Sequence, residues 1–447
     1  LCGMRTVRET MRPNMRKPTV LLMNRVYPPV RGATGRVLRD LARQMAREGW
    51  QVTVITSGRR AMSERDGAVR VIRVKGPEKP KNLFAYSVVW FKMFFAALRL
   101  PATELIVTMT DPPLFVLAGQ LLSKIKRSKH MHWVQDVYPD LFPVIGVKFP
   151  RGLIKIIDSL VIGAMKRADK IIVIGRCMAR HLSYSGISPR MMAVVPNWPD
   201  HELVQDEDEE QDSFKRPVED EDFEALIEQS GHVVNYRRSE EQVKTGPRFR
   251  VLHAGNIGMV HPIHVILDAA RILQNQHPEI EFLFVGDGPK FDAITRAKAQ
   301  EHLNNVKLLP YQPPARLRAL MESGDVHLIS LDERAAGLCV PSKVYSAIAS
   351  HRPAIFVGPD KSEVSRLMED YKFGVRVEPG KAEALAEMIR AYRLDGEAWF
   401  AAHENAKKAA NIFVPDASLS AFIERAWNLV GHKPVEVRTE RIDDLAA

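Results

Sequence analysis

Four segments of the chain combine glycine, small polar residues or a basic residue in the way that anion-binding loops do. They are the segments 27–35 (YPPVRGATG), 253–258 (HAGNIG), 284–289 (FVGDGP) and 337–346 (GLCVPSKVYS). Glycine lets backbone N–H groups approach an anion, and a helix that begins after such a loop turns its positive end to the same place. These segments could therefore hold a diphosphate. The alternative for each is a turn that needs glycine for its backbone alone.

The segment 337–346 is the most specific of the four. Pro341 and Ser342 can start a helix, which places Lys343 in the first turn. A lysine there opposes the helix dipole at a cost of up to ~1 kcal/mol, unless an anion compensates it. We therefore predict that Pro341, Ser342 and Lys343 bind a phosphate group.

The other three segments supply six further candidate binding residues. These are Gly32, Gly35, Gly255, Asn256, Gly258 and Asp287. Asn256 can act as a side-chain donor or as a turn residue, and Asp287 lies in a Gly-Asp-Gly turn that its side chain also suits. The sequence has no DxD in a turn, no HExxH and no Cys/His cluster, so we predict no metal site.

The elements that must position these residues alternate between strand and helix. Buried-strand runs occur at 19–23, 104–109, 130–136, 169–174 and 191–195, and a second series starts with RFRVLHAG at 248–255. The stretches between them have helical spacing, as in VLRDLARQMAREG at 37–49. This alternation predicts an α/β fold with two Rossmann-like, doubly wound parallel sheets, whose strand ends face each other across a cleft.

The same patterns divide the chain into five parts. We predict a basic N-terminal arm at 1–17, a first domain at 18–201, an acidic insertion at 202–247, a second domain at 248–430 and a tail at 431–447. The insertion contains DEDEEQD and EDEDFE, and like-charge blocks stay solvated, so we expect it to be disordered. The last helices of the second domain could cross back to the first.

The composition narrows the class of protein. With 64 Lys+Arg against 54 Asp+Glu the net charge is +10, and the 45% hydrophobic and 26% charged fractions are those of a globular chain. This excludes a collagen-like or polytopic membrane protein. Cys2, Cys177 and Cys339 are too few and too far apart for a disulfide framework, and the amino end lacks the apolar stretch of a secretory signal. We therefore expect a cytoplasmic protein.

The order and spacing of these segments resemble the retaining glycosyltransferases of family 4, which have the GT-B fold. The resemblance extends from about Val20 to Val430 apart from the acidic insertion. It is carried by YPPVRGATGRVLRDLARQMAREGWQVTVIT, VVPNWPD, HAGNIG with DAARIL, FVGDGP and VPSKVYSAIASHRPAI. Gly-Asn-Ile-Gly together with Pro-Ser-Lys is most similar to the subgroup that assembles bacterial surface polysaccharides, including N-acetyl-fucosamine transferases.

The resemblance implies a function and a place for each substrate. It implies that a nucleotide sugar, with UDP favoured, binds the second domain without a metal cofactor, and that a lipid-linked saccharide or polysaccharide is the acceptor. Asp136, at the end of the strand HMHWVQD, would line the acceptor side. Its carboxylate could accept the hydroxyl proton or stabilise an oxocarbenium ion, and capping the next turn is the alternative.

One departure from the family pattern concerns two glutamates, with seven residues between them, that most members place around the donor sugar and its ribose. Leu338 and Ser346 occupy those positions here, and Glu333 is nearby but out of register. The usual ribose contact is therefore absent.

The first domain also has features of a surface that binds a membrane. The run 83–100 is apolar but contains Lys92 and Arg99, each costing roughly 2.5–3.5 kcal/mol at a bilayer centre, so an interfacial or core helix is expected. The lysines at 75, 79 and 81 and the basic segment 124–130 could contact anionic lipid. We predict a peripheral protein at the inner face of the cytoplasmic membrane, and no binding of nucleic acid, because no recognised module is present.

Two other functions fit the same residues. A GT-B sugar-nucleotide epimerase would convert a nucleotide sugar without an acceptor, and it would need several carboxylates in the cleft. A catalytically silent nucleotide-sugar-binding scaffold is compatible with the missing glutamates.

Overall fold

The computed structural model describes residues 17–80, 82–204 and 248–431. Nearly all of the predicted arm at 1–17, most of the acidic insertion at 202–247, the tail after Gly431 and Lys81 lie outside the described residues. The described part contains two α/β domains, each built on one sheet.

The first domain has eight strands in the order β3-β4-β2-β1-β5-β6-β7-β8. All neighbours are parallel except β3, which pairs antiparallel with β4. The strands are β1 Thr19–Met23, β2 Gln51–Gly58, β3 Met62–Asp66, β4 Val69–Lys75, β5 Leu105–Met109, β6 Lys129–Val134, β7 Lys170–Val173 and β8 Met192–Val194. The helices are α1 Ala33–Arg47, α2 Leu83–Arg99, α3 Val116–Lys126, α4 Leu141–Val144, α5 Arg151–Met165 and α6 Arg176–Tyr184.

The second domain has six strands, all parallel, in the order β11-β10-β9-β12-β13-β14. The strands are β9 Phe249–Asn256, β10 Ile280–Asp287, β11 Val306–Leu309, β12 Val326–Ser330, β13 Ala354–Val357 and β14 Gly374–Val377. The helices are α7 Ile263–Gln276, α8 Phe291–Gln300, α9 Leu317–Glu322, α10 Lys343–Ala349, α11 Glu363–Tyr371, α12 Ala382–Leu394, α13 Gly396–Ala410 and α14 Pro415–Val430.

Local sequence explains why these elements form. β1 and β5 are apolar except for one threonine each because helices cover both faces of the sheet, and four of the five residues of β1 and all of β5 are buried. α1 buries a stripe that includes Val37, Leu41 and Met45, with helical spacing. The prediction of two doubly wound parallel α/β domains is confirmed.

The last helix, α14, packs on the first domain although it follows the second in the chain. The rings of Trp427 and Trp50 have centroids 4.5 Å apart, and those of Phe422 and Trp133 are 4.8 Å apart. Aromatic pairs at this separation bury large apolar areas and add attraction beyond that burial. α14 therefore ties the two domains together.

In each sheet the strand order reverses direction at one point. The chain starts in the middle of the sheet and builds outwards first on one side, then on the other, so the switch lies between β1 and β5 in the first domain and between β9 and β12 in the second. Loops diverge at such a switch and leave a crevice at the carboxyl ends of the strands, where ligands of open α/β sheets bind.

Candidate active site

The crevice of the second domain opens where β9 and β12 separate. The two strands pair at Val251–Val326 and Leu252–His327 and then diverge. Beyond that point two histidine side chains bond to carbonyl oxygens of β12: His253 Nδ1 lies 2.9 Å from Leu328 O, and His261 Nδ1 lies 2.8 Å from Ser330 O. A carbonyl only accepts, so each Nδ1 carries the proton.

Lys343 occupies this crevice as the first residue of α10. Its Nζ donates to the carbonyl oxygen of Asn256 at 2.8 Å and lies 3.4 Å from His261 Nε2. Burial lowers the pKa of Lys343 to about 8. Gly255 has φ +108°, and a Cβ there would be 3.4 Å from Lys343 Cε, so glycine suits both the backbone and the close approach. The ammonium therefore lies against the predicted phosphate loop 255–258.

The structure thus brings Gly255, Asn256 and Lys343 together, with Gly258 in the same loop and Pro341 and Ser342 immediately before α10. Ser342 makes no side-chain bond to the helix start. Its hydroxyl group is not used to cap α10.

Asp287 lies beside this group but faces another partner. It pairs with Asn256 in the register of β9 and β10, and its Oδ1 accepts from the N–H of Gly288 at 2.6 Å. Its other carboxylate oxygen forms an ion pair with Lys79 of the first domain, in which both side chains are exposed. The Asp287 side chain therefore stabilises its own turn and forms a contact between the domains.

Gly32 and Gly35 have a packing reason to be glycine. A Cβ on Gly32 would lie 3.0 Å from Val26 Cγ1, and one on Gly35 would lie 2.7 Å from the same atom. The loop that ends at Gly32, just before α1, faces the second domain, because the guanidinium of Arg31 lies 5.6 Å from the ring centroid of Tyr311. Cation–π contacts of this kind are favourable within about 6 Å.

Asp136 follows β6 and lies at the boundary between the domains. It forms an antiparallel backbone bridge with Cys339, and the next residue, Val137, donates its N–H to Leu338 O at 2.7 Å. Burial, reinforced by the charge of Asp111, raises the pKa of Asp136 to about 7. The structure therefore places Asp136 against the segment that leads into Lys343, and Leu338 of that segment is buried.

An ion pair that the sequence did not predict closes the crevice of the first domain. Arg25 follows β1 and Asp111 follows β5, the two strands at the switch point. Arg25 Nε and Nη2 bond to the two carboxylate oxygens of Asp111 at 2.7 and 2.8 Å, and Nη1 donates to Glu78 O at 2.6 Å. The guanidinium also lies 5.5 Å from the ring centroid of Tyr86. Charged residues directly after both strands could have indicated this pair.

Residues 32–198 match the family described as "Glycosyl transferase 4-like domain", and residues 248–394 match "Glycosyl transferases group 1". The two matches fall on the two domains and together cover more than half of the chain. The chain is a glycosyltransferase of the GT-B type.

Relatives of this glycosyltransferase include both sequences and solved structures. It is 26% identical over 304 residues to the "Probable glycosyltransferase WbjE" of Pseudomonas aeruginosa, a match covering 67% of this chain and 69% of that protein. HepE of Anabaena in complex with UDP is 16% identical, with a TM-score of 0.63 over 92% of this chain and 100% of HepE. Sucrose-phosphate synthase of Thermosynechococcus elongatus is 15% identical, with a TM-score of 0.70 over 93% and 99%.

The described residues of the glycosyltransferase contain no group of three or more His, Cys, Asp or Glu side chains placed to hold a metal ion. None of the helices within 17–80, 82–204 and 248–431 is long and apolar enough to cross a membrane.

Proposed function

We propose that this glycosyltransferase moves a sugar from a UDP-sugar to a lipid-linked saccharide or polysaccharide, with retention of the anomeric configuration, in the synthesis of a cell-surface polysaccharide. The observation that carries the proposal is the position of the Lys343 ammonium beside the loop 255–258, at the switch point of the second sheet. Asp136 lies next to the segment that leads to it. The complex of HepE with UDP supports the choice of nucleotide.

The donor half of the reaction needs a positively charged group that stabilises the negative charge of the leaving diphosphate. When the bond between the sugar C1 and the β-phosphate oxygen breaks, the electron pair stays on the diphosphate. The Lys343 ammonium neutralises that charge without a metal ion, because it is already oriented before the bond breaks. The N–H of Ile257 in the loop 255–258 is not available for the diphosphate, since it donates to Asp287 O at 2.8 Å. Pro341 and Ser342 fix the start of α10, while Gly32 and Gly35 let the start of α1 approach the diphosphate.

The acceptor half uses Asp136. The acceptor hydroxyl oxygen forms the new bond to C1 on the face from which the diphosphate leaves, which retains the configuration. The proton of that hydroxyl passes to the diphosphate or to the Asp136 carboxylate, which also stabilises positive charge on the ring. Its raised pKa, about 7, is suited to a group that exchanges a proton near neutral pH.

The lipid part of the acceptor has a matching surface on the first domain, formed by α2, α3 and α5. Among the described residues, more than half of the exposed large apolar side chains lie on these three helices. They are Leu83, Phe84, Phe91, Phe95, Leu121, Ile125, Leu153, Ile156 and Leu160. The opposite side of α2 is buried, so the helix is neither spanning nor wholly in the core. We call this surface the three-helix face.

The charge of the three-helix face fits an anionic membrane. Its helices contain one acidic residue, Asp158, and six basic residues, Lys92, Arg99, Lys124, Lys126, Arg151 and Lys155. Basic residues near a membrane of anionic lipids contribute about 1 kcal/mol each, and apolar side chains between them insert at the boundary of the acyl chains. The glycosyltransferase would therefore lie at the inner face of the cytoplasmic membrane.

The orientation of the helices brings this membrane to the cleft. In a parallel α/β sheet each helix runs opposite to the strands, so the first turns of α2 and α5 lie at the carboxyl edge of the sheet. Phe84, which is 76% exposed, and Leu153 are in those first turns. An acceptor anchored in the bilayer could thus deliver its head group to Asp136 without leaving the membrane.

The test is to incubate the protein with a panel of nucleotide sugars, with and without lipid-linked saccharides in vesicles. UDP release that requires the acceptor, with a product whose anomeric proton shows the configuration of the donor by NMR, supports the proposal. We expect the same rate of UDP release in the presence of EDTA. Conversion of the nucleotide sugar without an acceptor would indicate the epimerase, and binding without turnover would indicate the silent scaffold.

A further inference from the structure

We propose that His261 is a positioning residue for donor binding: its neutral imidazole accepts a hydrogen bond from Lys343 and holds the ammonium in the direction of the donor diphosphate. This inference rests on the proposed function, since it assumes that Lys343 is the diphosphate ligand. It assigns a role to a side chain that makes no direct contact with the substrate.

The bonds of the ring fix which nitrogen carries the proton. His261 Nδ1 lies 2.8 Å from Ser330 O and 3.1 Å from Ser330 Oγ. Because the carbonyl oxygen only accepts, Nδ1 is the donor, and Nε2 of the neutral ring presents a lone pair. Lys343 Nζ lies 3.4 Å from that nitrogen. The separation of β9 from β12 is what leaves Ser330 O free for this bond.

These contacts use two of the three N–H bonds of the ammonium. One points to Asn256 O at 2.8 Å and one to His261 Nε2. An ammonium group on a flexible stem otherwise rotates freely, so two fixed acceptors define the direction of the third N–H bond. That bond remains for an oxygen of the diphosphate.

The surroundings keep His261 neutral. His261 is 6% exposed, its ring lies 5.6 Å from the ring of His253, and Lys290 Nζ donates to the carbonyl oxygen of His261 at 2.6 Å. Burial, followed by the charge of Lys343, holds the pKa of His261 well below its usual range. Two neutral histidines and Lys290 lie around Lys343, while the charges of Asp332 and Arg334 act on Lys290.

The arrangement has a consequence that depends on pH. Burial lowers the pKa of Lys343 to about 8, and a neutral acceptor such as His261 Nε2 opposes that decrease because it stabilises the charged form. UDP affinity should therefore fall as the pH rises through about 8. If the acceptor is removed, the fall should begin at a lower pH.

Two substitutions separate the two bonds of the ring. In His261→Asn the amide nitrogen can still donate to Ser330, as Nδ1 does, but the side chain is too short to accept from Lys343. In His261→Gln the amide oxygen can take the place of Nε2. The experiment measures the dissociation constant of UDP by calorimetry between pH 6.5 and 9.5 for these variants and for Lys343→Ala. Lys307→Ala, which changes an exposed lysine on β11, is the control.

We expect His261→Asn to bind UDP several-fold more weakly and to lose affinity at a lower pH than the unmodified protein, with His261→Gln restoring both. Lys343→Ala should bind about 10-fold or more weakly, with no pH dependence near 8. If His261→Asn has the midpoint of the unmodified protein, or is only weaker by the same factor at every pH, His261 is structural and the inference is wrong. If Lys343→Ala binds UDP normally, the proposed donor site itself is wrong.

Discussion

Asp136 of the first domain and Cys339 of the second are joined by an antiparallel backbone bridge, two strand-like residues that meet across the boundary of the domains. Four residues after Cys339 the chain reaches Lys343. The carboxylate on the acceptor side and the ammonium on the donor side are thus held by one short stretch of backbone. Any movement of one domain relative to the other that breaks this bridge would change both halves of the proposed site together.

Replacing Asp136 by Asn should abolish most of the transferase activity while making the fold more stable. The pKa of Asp136 is about 7 in the folded protein against a usual value of 3.8, so the folded state holds the proton more tightly and stability decreases as the pH rises between these values. At pH 8 the amide should increase the free energy of unfolding by about 1 kcal/mol or more, since one pKa unit corresponds to about 1.4 kcal/mol. Activity of the unmodified protein should fall below pH 7, as the carboxylate becomes protonated.

The measurement is transferase activity and urea unfolding at pH 5 and pH 8, with the exposed residue change Asp292→Asn as the control. Full activity in Asp136→Asn would remove Asp136 from the proposed mechanism.

Gly35→Ala should disturb the first turn of α1. The added Cβ would lie 2.7 Å from Val26 Cγ1 and 3.0 Å from the carbonyl carbon of Val26, so the backbone must move. Overpacking of this kind typically costs about 1–3 kcal/mol. Gly152→Ala is the matched control, because Gly152 lies in α5 with no atom near the added Cβ, and alanine favours a helix by ~1 kcal/mol. If thermal unfolding shows that the two variants are equally stable, the packing role of Gly35 is contradicted.

Glu363→Ala should weaken the contact between the domains on the side of α6. The buried carboxylate of Glu363 accepts from the N–H of Arg176 at 2.6 Å and pairs with its Nε at 3.0 Å. Loss of hydrogen bonds to a charged group costs about 1.5–3 kcal/mol. Asp370→Ala, which removes the exposed partner of Arg176, should lower the free energy of unfolding by less than Glu363→Ala does. Calorimetric unfolding should show a lower transition temperature for Glu363→Ala, and a larger effect of Asp370→Ala would be inconsistent with this interpretation.

Reversing two charges on the three-helix face should weaken binding to anionic vesicles. Lys126 and Lys129 are poor choices, because Lys126 donates to Leu98 O and Leu100 O, and Lys129 pairs with Asp169. The double change Lys124→Glu and Lys155→Glu should reduce the free energy of binding to the vesicles by about 1 kcal/mol or more per residue. Binding should also fall with added salt, because charges are screened beyond about 8–10 Å.

Co-sedimentation with vesicles of anionic and of neutral lipid measures this effect. The double change Lys407→Glu and Lys408→Glu, in the exposed part of α13, is the control with the same change in net charge. Equal losses in both variants would mean that net charge, and not the three-helix face, attracts the membrane.

The antiparallel edge strand β3 was not predicted from sequence. Its residues, Met62–Asp66, are mostly polar and none is buried. An edge strand with one solvated side has little of the apolar pattern by which the buried strands are recognised. The location of α2 was likewise not predicted from the sequence alone. An apolar helix has the same pattern in a core or at an interface, so its location depends on its neighbours in the structure.

The sequence by itself predicted most of the buried strands and helices, although not β4 or β14, together with the order of the two domains and the segments that lie at strand ends, because these follow from local apolar spacing and from glycine. The tertiary structure alone decided which of those ends meet. Arg25 and Asp111 are 86 residues apart, and Ser330 lies 69 residues after His261. Each pair is joined only because the strand order reverses between their strands, and that order is fixed by packing over the whole sheet rather than by any local pattern.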